Sequence, residues 1–124
     1  MVIAVDFDGT ITKRNNFPEI GELKDYCIEA LQLLRKQGHK LILWTCRTGS
    51  ALEAAVTLLR EKGFEFDAVN EQLLTYGTLS NKVCADVYID DNAWPFSVKH
   101  EDFWKYLYEH LMAGRNPLQS YTGI

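Results

Sequence analysis

The polar residues best suited to chemistry stand in short strings, each placed just after an apolar run. Asp6-Phe7-Asp8-Gly9-Thr10 follows Val2 to Val5, Thr45-Cys46-Arg47 follows Leu41 to Trp44, and Asp90-Asp91 follows Val87-Tyr88-Ile89, with Lys82 a few residues upstream. If these strings converge, Asp6, Asp8, Asp90 and Asp91 share one site. Two carboxylates about 5 Å apart repel by roughly 3 kcal/mol at an effective dielectric near 20, so the cluster calls for a cation. An all-oxygen donor set selects a hard ion, and Mg2+ is the usual one where a phosphate completes the shell.

Convergence depends on the elements that carry these strings. Val2-Ile3-Ala4-Val5 reads as a strand buried on both faces. From Ile20 to Gln37, apolar residues at Ile20, Leu23, Cys27, Ala30, Leu31 and Leu34 are spaced for one helical face, and Gly38 is the stop. Lys40 to Trp44 repeats the buried-strand pattern, and Ser50-Ala51-Leu52-Glu53 reads as a capping box opening a helix that turns Leu52, Val56 and Leu59 inward and ends at Gly63. Phe66 to Val69 is a weaker strand and Ala85 to Ile89 a stronger one. Ser97 caps a last helix carrying Phe103, Leu107 and Leu111, with Gly114 and Pro117 past its end and residues 115–124 left as a tail. Strands alternating with helices demand right-handed parallel crossovers. The expected fold class is therefore α/β, a three-layer α/β/α sandwich around a central parallel sheet, Rossmann-like, with ligands at the carboxyl ends of the strands.

The order Asp-Phe-Asp-Gly-Thr, then a hydrophobic strand ending in Thr, then Lys, then Ile-Asp-Asp, resembles the haloacid dehalogenase-like (HAD) superfamily of aspartate-nucleophile phosphotransferases, over most of the chain. The resemblance implies a Mg2+-dependent phosphatase that hydrolyses a phosphomonoester. Asp6 would be the nucleophile that forms an aspartyl-phosphate, splitting one hard displacement into two easier ones. Asp8 leaves an extended segment on the same side as Asp6 and would protonate the leaving oxygen, then deprotonate the attacking water. The metal would be held by Asp6, the backbone carbonyl of Asp8 and Asp90, with Asp91 direct or through water. Thr45, Lys82 and the turn amides of Phe7 and Asp8 would hold the phosphoryl oxygens. Many relatives insert a cap domain near these motifs; the intervals here are filled by the expected helices and strands. Only 12–19 and 70–81 are spare, so short loops or a second copy of the chain would cover the site.

Plainer roles exist for each residue. Asp-x-Asp-Gly ends many strands in a turn, Thr45 suits a buried strand, and a loop lysine such as Lys82 is commonly solvated, with Lys13 and Lys99 as competitors. Asp91 could cap a turn, Cys46 reads as a packed thiol, and Arg47 fits either a grip on the substrate or a surface salt bridge. Two other classes compete with the enzyme: a phospho-acceptor module resembling a response-regulator receiver, whose adjacent acids come first and whose lysine comes last, and a non-catalytic binding protein on the same fold.

The whole sequence fits one such domain: 124 residues, 47% apolar and 24% charged. A net charge of −4 argues against a general polyanion or anionic membrane surface, disfavouring nucleic acid as partner. Apolar stretches of four or five residues exclude a membrane-spanning helix, no secretory pattern opens the chain, and three cysteines without a CxxC pair suggest reduced thiols. A cytoplasmic protein acting on a phosphorylated small molecule, or on an exposed phosphate of a larger one, is expected.

Overall fold

The structure, a computed structural model, describes residues 1–70, 85–90 and 103–121. Strands β1 (Val2–Val5), β2 (Lys40–Leu43), β3 (Ala68–Val69) and β4 (Val87–Ile89) form one parallel sheet in the order β3-β2-β1-β4. With helices α1 (Cys27–Lys36), α2 (Gly49–Glu61) and α3 (Phe103–Met112) they make a small Rossmann-like α/β sandwich. β1 is central and buried on both faces, as its unbroken apolar run requires. Ile3 and Val5 join Leu41 and Leu43 on the face where Leu31 and Leu34 of α1, Ala55 and Leu59 of α2, and Trp104 and Leu107 of α3 close the main core. On the other face Val2, Ala4 and Ile42 pack with the partly buried Ala68, Ala85 and Tyr88. Residues 71–84, between β3 and β4, lie outside the described residues. Among the described residues no helix is long and apolar enough to cross a membrane.

Two aspartates set the lower edge of the sheet. The Asp67 carboxylate accepts the Leu41 N–H at 2.7 Å while the Asp67 N–H donates to the Leu41 carbonyl at 2.8 Å. Asp86 does the same for Val2, again at 2.7 and 2.8 Å. These acids close the first rung of each edge strand, where the donor would otherwise be orphaned. They lie at the amino ends of the strands, opposite the expected site.

Several expected boundaries move. The helix expected from Ile20 begins only at Cys27. Residues 22–24 instead pair with 11–13: Lys13 N–H donates to Glu22 O at 2.7 Å, Lys24 N–H to Ile11 O at 2.8 Å, and Thr12 bridges Leu23. A Cβ on Gly21 would stand 2.7 Å from the Arg14 carbonyl oxygen, so this close crossing requires glycine. The expected capping box is also displaced: Thr48 is the N-cap of α2, with no side-chain cap bond, and Ser50 lies inside the helix. Ser97 is outside the described residues. The expected tail is not free either, because Pro117–Tyr121 forms a 3-10 turn and Leu118 is fully buried in the core.

Candidate active site

The register decides whether the acidic strings meet. Val5 pairs with Leu43 on one side and Ile89 on the other. One residue further, the Asp6 N–H donates to the Ile89 carbonyl at 2.9 Å and the Trp44 N–H to the Val5 carbonyl at 2.8 Å, so the ladder continues past the strand ends. Asp6 and Asp90 therefore occupy neighbouring positions at the carboxyl edge of adjacent strands, about 4.8 Å apart in the hydrogen-bonding direction.

Past Asp6 the chain folds into a tight turn in which the Phe7 carbonyl accepts the N–H groups of Thr10, Ile11 and Thr12 at 3.1, 2.9 and 3.3 Å. Gly9 takes a φ of 81°, a left-handed value that favours glycine, and its N–H donates to Thr12 Oγ1 at 3.0 Å. The Thr10 hydroxyl donates to Asp6 Oδ2 at 3.1 Å and so orients that carboxylate. Two long side chains pin the turn from behind: Lys24 Nζ donates to the Gly9 carbonyl at 3.0 Å, and Trp104 Nε1 reaches from α3 to the Thr10 carbonyl at 2.8 Å. Phe7 is fully buried in the core. Among the described residues no acceptor meets the N–H of Phe7 or of Asp8, an arrangement suited to an anion.

Thr45 lies at the same edge, nearly buried, with its N–H held by Asn70 Oδ1 at 2.8 Å. Thr45 Oγ1 accepts the Arg47 N–H at 3.1 Å, which leaves its own hydroxyl hydrogen to be donated.

Arg47 departs from both expected roles. It is 1% exposed, so it makes no surface salt bridge. Its Nε and Nη2 meet Asp8 Oδ2 and Oδ1 at 2.8 and 2.7 Å. Nη1 donates to the carbonyls of Pro18 and Ala51 at 3.1 and 3.3 Å, and Nη2 also to that of Glu19 at 2.7 Å. All five guanidinium N–H groups are thus spent inside the chain, leaving none to grip a substrate. Phe7 and Phe17 stand 5.2 and 5.3 Å from the guanidinium carbon, supplying weakly hydrating walls. The hydrogen bond to Asp8 raises the Arg47 pKa above its ordinary value, against the opposing effect of desolvation.

Of the expected site residues, Asp6, Phe7, Asp8, Thr45 and Asp90 come together at one edge of the sheet, while Lys82 and Asp91 lie outside the described residues. Cys46, expected as a packed thiol, is exposed beside Thr45. Lys24, Trp104 and Asn70 were not legible as site residues; only their tertiary partners reveal them. Among the described residues no group of three His, Cys, Asp or Glu side chains is arranged to hold a metal. Asp8 explains part of this, since its carboxylate turns to Arg47. What remains there is the carboxylate of Asp6 beside Asp90, with the Asp8 carbonyl nearby in sequence, an oxygen-only set that fits a hard divalent ion.

Fold and edge together define a small Rossmann-like α/β protein with aspartates gathered where its central strands end. A solved structure of a conserved protein coded by a locus of Bacteroides thetaiotaomicron is 35% identical in sequence and superposes with a TM-score of 0.75, covering 100% of this chain and 98% of that one. The chain belongs to the same family as that protein. No protein-family model and no curated protein matches it.

Proposed function

We propose that the chain is a capless phosphatase of the haloacid dehalogenase-like type, with Mg2+ as cofactor, that hydrolyses a phosphomonoester through an aspartyl-phosphate on Asp6. The observation that carries this reading is the register that sets Asp6 beside Asp90 at the carboxyl edge, with the glycine turn directly after Asp6. In the first step an Asp6 oxygen attacks phosphorus, the bond from phosphorus to the alcohol oxygen breaks, and that oxygen takes a proton from Asp8. In the second, water attacks the same phosphorus and gives its proton to Asp8, and the bond to Asp6 breaks to release inorganic phosphate. The Thr10 hydroxyl orients Asp6. The Thr45 hydroxyl and the amides of Phe7 and Asp8 donate to the phosphoryl oxygens, and Lys82 is assigned there too. Asp6, the Asp8 carbonyl and Asp90, with Asp91 direct or through water, would hold Mg2+, which when bound neutralises the paired carboxylates and polarises the phosphoryl group. The substrate is a phosphorylated small molecule or an exposed phosphate on a larger one, in the cytoplasm.

Turnover of p-nitrophenyl phosphate with Mg2+ tests the reading. Asp6→Asn should lower kcat by at least about 10³-fold, as loss of a nucleophile does; unchanged activity removes Asp6 from the chemistry.

A further inference from the structure

Among the described residues Arg47 is the largest fully buried charged side chain, and the phosphatase chemistry above leaves it without a task. Three separate pieces of chain end on its guanidinium: Asp8 in the turn after β1, the carbonyls of Pro18 and Glu19 in the exposed 13–20 loop, and the Ala51 carbonyl in the first turn of α2. A guanidinium is a rigid planar fork, so contact with both Asp8 oxygens fixes the plane of that carboxyl as well as its position. Each carboxyl oxygen has two acceptor sites, and the fork occupies one on each. The proton that Asp8 delivers must therefore sit on the side turned away from Arg47.

We infer that Arg47 is a positioning residue for leaving-group protonation: it aims the proton-bearing edge of Asp8 at the alcohol oxygen and ties the 13–20 loop to that aim. The inference rests on the phosphatase reading and deepens it. The bond from phosphorus to the alcohol oxygen breaks, that oxygen keeps the electron pair and takes the Asp8 proton, and the alcohol departs neutral. Asp8 is left as a carboxylate facing the guanidinium. Arg47 exchanges no proton and touches no substrate atom. An ester whose leaving group is itself acidic, such as p-nitrophenol, has little need of that proton; an alkyl alcohol needs it fully. In the step that releases the alcohol, loss of aim should consequently be felt on alkyl esters and hardly at all on activated aryl ones.

The experiment compares p-nitrophenyl phosphate with a simple alkyl phosphate on the full chain with Mg2+, using Arg47→Lys and, should that variant not fold by near-ultraviolet circular dichroism, Arg47→Gln. Lysine keeps the charge but cannot span both oxygens. The alkyl ester should lose about 10²-fold in kcat/KM, which reports the steps up to departure of the alcohol, while the aryl ester changes less than about 5-fold, the size of a general-acid contribution. Asp8→Asn should show the same selectivity in kcat/KM, while its kcat falls on both esters because Asp8 also takes the proton of the attacking water, and combining it with Arg47→Lys should add little further loss in kcat/KM on the alkyl ester. Equal losses in kcat/KM on both esters, or additive losses in the double variant, overturn the positioning role while the phosphatase reading stands. A wild-type protein that turns over neither ester overturns the phosphatase reading and this inference with it.

Discussion

Trp104→Phe isolates the bond that holds the turn after β1 from behind. Trp104 is fully buried, stacks edge-on to Phe103 with ring centroids 5.2 Å apart, and donates its indole N–H to the Thr10 carbonyl at 2.8 Å. Thr10 is itself fully buried, so the carbonyl finds no water when the donor goes. An orphaned buried acceptor costs about 1–3 kcal/mol, and the smaller ring adds about 1 kcal/mol through the space it leaves. The sum is about 2–4 kcal/mol, which for a domain of this size lowers Tm by about 8–16 °C. Urea unfolding followed by circular dichroism should show the loss with an unchanged m-value. The same bond locates the turn that carries Asp6 and Asp8, so kcat should fall about tenfold with KM nearly constant, since a small misplacement of reacting groups is costly. A Tm within about 2 °C of wild type would refute the view that α3 braces the turn.

Asp67→Ala removes the acceptor of the fully buried Leu41 N–H and the partner of Arg35 3.2 Å away, and should cost about 2 kcal/mol in urea unfolding with kcat unchanged, because it lies at the far end of the strands. Gly21→Ala forces a Cβ to within 2.7 Å of the Arg14 carbonyl oxygen and should cost about 1–3 kcal/mol by the same assay. Burial holds the Cys27 thiol well above its ordinary pKa, whereas Cys46 is exposed, so iodoacetamide with peptide mapping should modify Cys46 in the native protein and Cys27 only after unfolding. His39 has its pKa lowered, first by burial and then by the Met1 ammonium, so the folded state binds its proton less readily than the unfolded one. Its contribution is present above the unfolded value near 6.5 and is lost as pH falls through the lower folded value; His39→Gln should flatten the stability profile over that window.

The strands were legible because each is short, apolar and stopped by polar residues, and strands that alternate with helices are expected to run parallel. Asp6 and Asp90 could be placed at one edge on that ground alone. The start of α1 was not legible: Ile20 and Leu23 have helical spacing, but their backbone is drawn into pairing with 11–13, which wins because it satisfies donors on both segments. The capping box failed for a related reason, as Thr48, two residues earlier, already stands in the extended conformation of an N-cap. Arg47 was seen but misread. Its partner Asp8 is 39 residues away, and its other acceptors are backbone carbonyls, which carry no signature in side-chain sequence. Lys24 and Trp104 were missed as site residues for the same cause.

Rapid acid quench of the protein during turnover of a phosphomonoester with Mg2+, followed by peptide mass spectrometry, tests the central claim most directly. Phosphate should be found covalently attached to Asp6, and the adduct should be absent from Asp6→Asn. Turnover with no adduct at Asp6, or an adduct carried by another residue, would contradict it.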